Sequence, residues 1–186
     1  MKLFMVLLGC KPEGRNTEQH DIFFGIADSL AALVPQLKAF WPGKHTIHID
    51  AWREISRVGD YTIEVIDKNK AQSAPNTTRL FFINLGGYKP GDFEEYHYKL
   101  LIAAASKSSA IREAKNSIFY QHTGFKGAES HVDDKYGIDV DDSYQIEELL
   151  SVESLEQFSI SISPNTTKAQ DSLHIGYTKL STLSAS

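Results

Sequence analysis

A chain of 186 residues, 41% of them hydrophobic, is long enough to bury a sizeable core and fits one globular unit or two small halves that share one. A formal charge of -5, with no run of Lys or Arg, excludes the basic face that nucleic-acid binding needs and argues against attachment to a membrane surface. Cys10 is the single cysteine, so no intrachain disulfide can form, which suits a reducing cytoplasm.

In chain order, Met1-Lys2, the apolar run Leu3 to Leu8 and then Gly9-Cys10 look like a shortened lipoprotein signal. The run is short for a signal peptide, and it recurs inside the chain as Arg79 to Gly87, so it reads as a buried strand. From Ile22 the apolar positions Phe23, Ile26, Ala27, Leu30, Leu33, Val34, Leu37 and Phe40 follow one helical face. That spacing predicts a helix from about Thr17 to Phe40, with Asn16 and Gln19 as a capping box and Trp41-Pro42-Gly43 as its stop. A second strand is expected at His45 to Asp50 and a third at Tyr61 to Ile66.

The same plan then returns. Leu3-Phe4-Met5-Val6-Leu7-Leu8-Gly9 with Gly14, Glu18 and His20 reappears as Leu80-Phe81-Phe82-Ile83-Asn84-Leu85-Gly86 with Gly91, Glu95 and His97. Further on, His48-Ile49-Asp50 aligns with His131-Val132-Asp133, and Tyr61, Ile63 and Glu64 with Tyr144, Ile146 and Glu147. The second copy is expected to hold a strand at 79–85, a helix at about 93–116 capped by Asp92 with Glu95, and a strand at 129–133. Residues 143–150 fit a strand or a helical turn. Clean alternation at 158–162 and 173–177 predicts a C-terminal β-hairpin around Pro164-Asn165.

The fold class is therefore α/β, with α+β as the alternative. It consists of tandem pseudo-symmetric β-loop-α-β-β repeats with a mixed sheet, plus the hairpin. The copies span 1–67 and 79–150, joined by a polar connector at 68–78 and followed by strands at 151–186, all in one compact unit. Each β-α-β part is expected to be a right-handed crossover between parallel strands.

That geometry places the polar residues common to both copies at the carboxyl edge of the sheet, where open α/β sheets bind ligands. In the first copy these are Gly14, Glu18, His20, His48 and Asp50; in the second they are Gly91, Glu95, His97, His131 and Asp133. A Glu, two His and an Asp at one edge can bind a divalent metal or act as an acid/base set. Each also has a structural role open to it. Glu18 suits a first helical turn, His20 lies on the stripe with Phe23, Phe24 and Ala27, and Asp50 suits a turn.

Gly9 to Asn16 has phosphate-loop spacing but lacks the closing Lys-Ser/Thr, and its second copy puts Asp92 at the position of Arg15. Simple anion binding needs less: a helix N-terminus beside Gly14, with Arg15, Arg53 and Lys11 assisting. Cys10 reads as a small inert residue, although a helix end would lower its pKa. Asp133, Asp134, Asp139, Asp141 and Asp142 lack EF-hand spacing and read as a solvated acidic loop, with weak cation binding as the alternative. If only one copy is active, the first, which carries Arg15 and Arg53, is the one expected to be, with the second as its structural mate.

The stretches Gly-Arg-x-x-Glu-Gln-His-Asp at 14–21, Phe-Trp-Pro at 40–42, His-Ile-Asp-Ala-Trp-Arg-Glu at 48–54 and Asn-Leu-Gly-Gly-Tyr at 84–88 resemble a small bacterial family. It is catalogued as a domain of unknown function, present in one or two copies per protein. The resemblance spans nearly the whole chain and implies a bacterial cytosolic protein with a doubled domain. It transfers no activity, cofactor or catalytic residue.

Two functions stay open on these grounds. One is a small-molecule or protein binding module, with a homo-oligomer built on the C-terminal strands. The other is a small enzyme or a metal- or anion-binding protein that uses the Glu18, His20, His48 and Asp50 cluster.

Overall fold

The computed structural model describes residues 1–41, 46–70, 77–88, 91–121, 138–166 and 170–183. The fold is mixed α/β and mostly sheet. The chain divides into two compact units, one formed by Met1–Ala74 with Leu149–Ser186 and the other by Pro75–Glu148.

The first unit opens with a hairpin. Strand β1 (Lys2–Cys10) runs antiparallel to β2 (Gln19–Ala27), with Leu3 opposite Ile26 and Gly9 opposite His20. Between them Gly14, at φ 78, sits in a turn closed by the Arg15 amide donating to the Pro12 carbonyl at 3.2 Å; a positive φ there favours glycine. A 3-10 turn (Ala31–Leu33) and helix α1 (Val34–Phe40) follow, then β3 (His48–Ile55), which pairs antiparallel with the other side of β1.

This corrects the expected helix over Thr17 to Phe40. Its first half is β2, and α1 begins at Val34. Ile22, Phe23, Ile26 and Ala27 satisfy a helical stripe, but the unbroken run from Ile22 to Ala27 of apolar residues rich in β-branched and aromatic types also describes a buried strand. Gly25 decides the packing. A Cβ there would lie 2.6 Å from Phe23 Cε1 and 2.8 Å from Leu33 Cδ2, so its bare backbone lets the Leu33 turn come down on β2. The core on this face joins Phe4, Val6, Leu8 and Cys10 of β1 to Phe23, Leu33, Val34, Leu37 and Ile49.

The expected parallel β1–crossover–second-strand unit is likewise corrected, since β1 and β3 are antiparallel neighbours. The strands that run parallel are β2 and β3, each antiparallel to β1, which lies between them; the helical segment connects these two. Every strand pair among the described residues is antiparallel, so the expected mixed sheet is absent there.

Three further strands of the first unit form a second sheet. β4 (Arg57–Val58), β5 (Tyr61–Asp67) and β9 (Phe158–Pro164) lie in the order β4-β5-β9, with β9 entered from the short helix α3 (Val152–Gln157). Strand β10 (His174–Lys179) joins β3 at the edge of the first sheet, whose order is β10-β3-β1-β2, and the chain turns into α4 (Leu180–Leu183). The C-terminal strands therefore do not form the expected hairpin: β9 pairs with β5, and β10 with β3.

The second unit holds β6 (Arg79–Tyr88), β7 (Glu95–Ala104), α2 (Lys107–Gln121) and β8 (Ile138–Gln145), in the sheet order β7-β6-β8. The helix expected at 93–116 is thus also split. The alternation Tyr96, Tyr98, Leu100 and Ile102 lies in a strand, and α2 starts after Ser106, whose Oγ accepts from the Ser109 amide at 3.2 Å. Asp92, expected as the cap, instead accepts from the Tyr96 hydroxyl at 2.8 Å. Phe81, Ile83, Leu85, Ile102, Ala110 and Ala114 form the core beneath α2.

Residues 143–150 are the end of β8 followed by a 3-10 turn (Ile146–Leu149). Tyr144 lies opposite Phe82, whereas Tyr61 lies opposite Val58 and Pro164, so the alignment of Tyr61, Ile63 and Glu64 with Tyr144, Ile146 and Glu147 does not hold. The strand expected at 129–133 falls outside the described residues.

Candidate functional site

Gly9 is the centre of the polar cluster in the first unit. It pairs with His20 on β2 and with His48 on β3, so both imidazoles flank a residue without a side chain. A Cβ on Gly9 would stand 2.3 Å from His48 Nε2 and 2.6 Å from Asp50 Oδ2. The space above Gly9 is filled by these two groups, and any larger residue would displace them.

A β-bulge brings Asp50 there. Ile49 pairs with Leu8 and Ala51 with Leu7, which leaves Asp50 as the extra residue on β3. Bulges of this kind re-aim a side chain at the cost of one ladder rung. His48 Nε2 then lies 2.9 Å from Glu18 Oε1 and 3.3 Å from Asp50 Oδ1, and His20 Nε2 lies 3.3 Å from Asp50 Oδ2. The His48 side chain is only 8% exposed, while Glu18, His20 and Asp50 open to solvent at 42%, 46% and 26%. The Tyr177 ring of β10 lies over His48, with centroids 4.5 Å apart. A bulge between Ile175 and Thr178, at Gly176 with φ 141, sets the register there.

The cluster is thus three loosely exposed groups around one buried imidazole. It lies at the end of β1 and the starts of β2 and β3, not at a common carboxyl edge. His20 belongs to a strand and is half exposed, which replaces the reading of it as a core helical residue.

The other sequence candidates lie elsewhere. Arg15 and Gly14 occupy the exposed β1–β2 turn, and Gln19 behind them begins a strand, so the helix N-terminus that motivated anion binding is absent. Arg53 pairs with Met5, four rungs of β1 from Gly9, or about 13 Å at ~3.3 Å per residue. Burial lowers its guanidinium pKa, with the Asp171 carboxylate acting in the opposite direction. Cys10 is buried; burial first and the Glu18 charge second push its thiol pKa up, contrary to the lowering a helix end would give.

In the second unit Glu95 and His97 are described, whereas His131 and Asp133 fall outside the described residues. Asp139 pairs with Gly86 as His48 pairs with Gly9, and Asp141 is the bulged residue between Val140 and Asp142. Asp141 Oδ2 lies 3.2 Å from His97 Nε2, and Glu95 Oε2 lies 4.0 Å from it. The sequence alone reads Asp141 as part of a solvated acidic loop. The Ile-Asp-Val-Asp alternation at 138–141 was the signal that could have put it in a strand. Gly9, Gly86 and Tyr177 were not read as site residues either, because a glycine's contribution here is the space it leaves and Tyr177 arrives from the far end of the chain.

Residues 15–65, which include all four cluster residues, match the model of the Domain of Unknown Function (DUF1543). The match falls within the stretch whose motifs carry the resemblance to such a family. The chain is also similar in fold to a solved structure titled protein Il1583 from Idiomarina loihiensis. The two share 22% sequence identity at a TM-score of 0.57, over 96% of this chain and 97% of that one. At that identity the likeness concerns fold alone. No curated protein matches the sequence. Among the described residues, no helix is long and apolar enough to cross a membrane.

Proposed function

We propose that this protein is a cytoplasmic binding module whose first unit takes up a divalent transition-metal ion through Glu18, His20, His48 and Asp50. Two imidazoles and two carboxylates form a mixed nitrogen and oxygen donor set of the kind zinc and its neighbours favour. Ligand atoms about 2.0–2.1 Å from a tetrahedral ion stand roughly 3.3 Å from one another. The two contacts of His48 Nε2, 2.9 Å to Glu18 Oε1 and 3.3 Å to Asp50 Oδ1, have that scale, and His20 Nε2 meets the other oxygen of Asp50 at 3.3 Å.

Direct hydrogen bonds share this scale, so one observation carries the reading. A single nitrogen, His48 Nε2, faces two carboxylates although it carries at most one proton, and the buried Asp50 Oδ2 has the His20 imidazole as an ion-pair neighbour at 3.3 Å but no hydrogen bond among the described residues. A cation would satisfy both carboxylates at once. Part of the reading is that the second unit is a diverged copy of residues 1–67, supported by the shared Gly, Glu and His pattern and the matching bulges on β3 and β8. A second reading, acid/base chemistry, is favoured by the half-exposed His20 backed by Asp50, an arrangement able to pass a proton at the surface.

Elemental analysis of the purified protein and calorimetric titration with zinc test the proposal. Zinc binding that His48→Ala and Asp50→Asn each weaken by roughly tenfold or more is the expected result. Unchanged zinc affinity in both variants, with the fold intact by circular dichroism, overturns it.

A further inference from the structure

The second unit has a group of its own, on residues the first-unit reading does not use. We infer that Glu95, His97 and Asp141 form a separate divalent-cation site with a preference for a harder ion, of the manganese or magnesium class. Three ligand atoms from these side chains, one each, lie within 4.8 Å of one another. They come from two strands on either side of β6. Glu95 and His97 stand two apart on β7 and so share a face, while Asp141 comes from β8.

The backbone makes the convergence possible. Gly86 pairs with His97, and a Cβ on it would stand 2.4 Å from Asp141 Oδ2 and 2.8 Å from Oδ1. The Asp141 carboxylate therefore lies over bare backbone beside the imidazole. Asp141 reaches this position as the bulged residue of β8, and without the bulge the strand would keep its regular alternation.

The donor set explains the choice of ion. One imidazole and two carboxylates are richer in oxygen than the four-group cluster of the first unit, and carboxylates with water suit magnesium, calcium and manganese. Each of the three side chains is about a third exposed, at 31% to 38%, which leaves room for the waters that complete an octahedral shell.

The test is a titration of the full chain with manganese, followed by electron paramagnetic resonance of the free ion. It is run with the wild type, Asp141→Asn, His97→Ala and, as a control for the first unit, His48→Ala. The expected result is one manganese equivalent that Asp141→Asn and His97→Ala each weaken by at least tenfold and His48→Ala leaves in place. Manganese binding that survives in both second-unit variants overturns the inference, as does binding lost only in His48→Ala. Zinc titration of the same proteins keeps the two proposals apart: loss of zinc affinity in His48→Ala bears on the first unit alone.

Discussion

Gly9 and His48 face each other across a pair of antiparallel strands, and the imidazole occupies the space that a side chain on Gly9 would take. The glycine is not needed for backbone freedom, because its φ is not positive. It is needed for room. Gly86 stands in the same relation to the Asp141 carboxylate in the second unit.

Gly9→Ala should therefore disturb the cluster while leaving the backbone path intact. The atoms met are side-chain tips, so His48 and Asp50 can move aside, at a cost on the overpacking scale of about 1–3 kcal/mol. The imidazole resonances of His20 and His48 should shift, and zinc affinity should fall. Unchanged histidine resonances would show that the space above Gly9 is not tight.

Leu37 is fully buried in the core where α1 meets β1 and β2. Leu37→Ala should cost about 2–5 kcal/mol in chemical denaturation, through lost transfer energy and the cavity left behind. A loss below 1 kcal/mol would mean that the seven-residue helix contributes little to the core.

Asp171 ties the segment before β10 to the end of β3. Its carboxylate accepts from the Ser56 amide at 3.0 Å, the Ser56 hydroxyl at 2.6 Å and the Arg57 amide at 3.0 Å. Asp171→Ala leaves part-buried donors without their acceptor and should cost roughly 2–3 kcal/mol. Because β10 carries Tyr177, the same variant should also loosen the aromatic cover over His48, read as a change in the His48 resonance.

Cys10 should react slowly with thiol reagents in the folded protein and rapidly once it is unfolded. Burial and the Glu18 charge favour its neutral form, so the folded thiol keeps its proton after the unfolded one has lost it. The stabilisation linked to this group is whole below the ordinary thiol range and declines as pH rises above it. Denaturation midpoints measured from neutral to alkaline pH, compared with Cys10→Ser, check the sign.

Much of the strand framework was legible, for a physical reason. A buried strand must be apolar along its length, so Leu3 to Leu8 and Leu80 to Leu85 announce themselves. The polar residues that recur between the two stretches, Glu18 with Glu95 and His20 with His97, also stand out against that frame. The helices are not legible in the same way, because Ile22 to Ala27 satisfies a period of 3.6 and a continuous buried run equally well. The deciding fact, that Leu33 must seat on Gly25, is a contact between elements and has no local signature.

Strand partners were hidden for a similar reason. The C-terminal segments alternate as strands should, but alternation states which face is buried and not which neighbour lies alongside. The chain by itself determined its charge, its single thiol, its apolar strands and the polar residues clustered near their ends. The tertiary structure decided that β1 lies between β2 and β3, and so that His20, His48 and Asp50 gather at one glycine, with Glu18 reaching His48. Such proximity comes from long-range register and from a one-residue bulge. Both arise from packing the whole sheet, which no window of sequence contains.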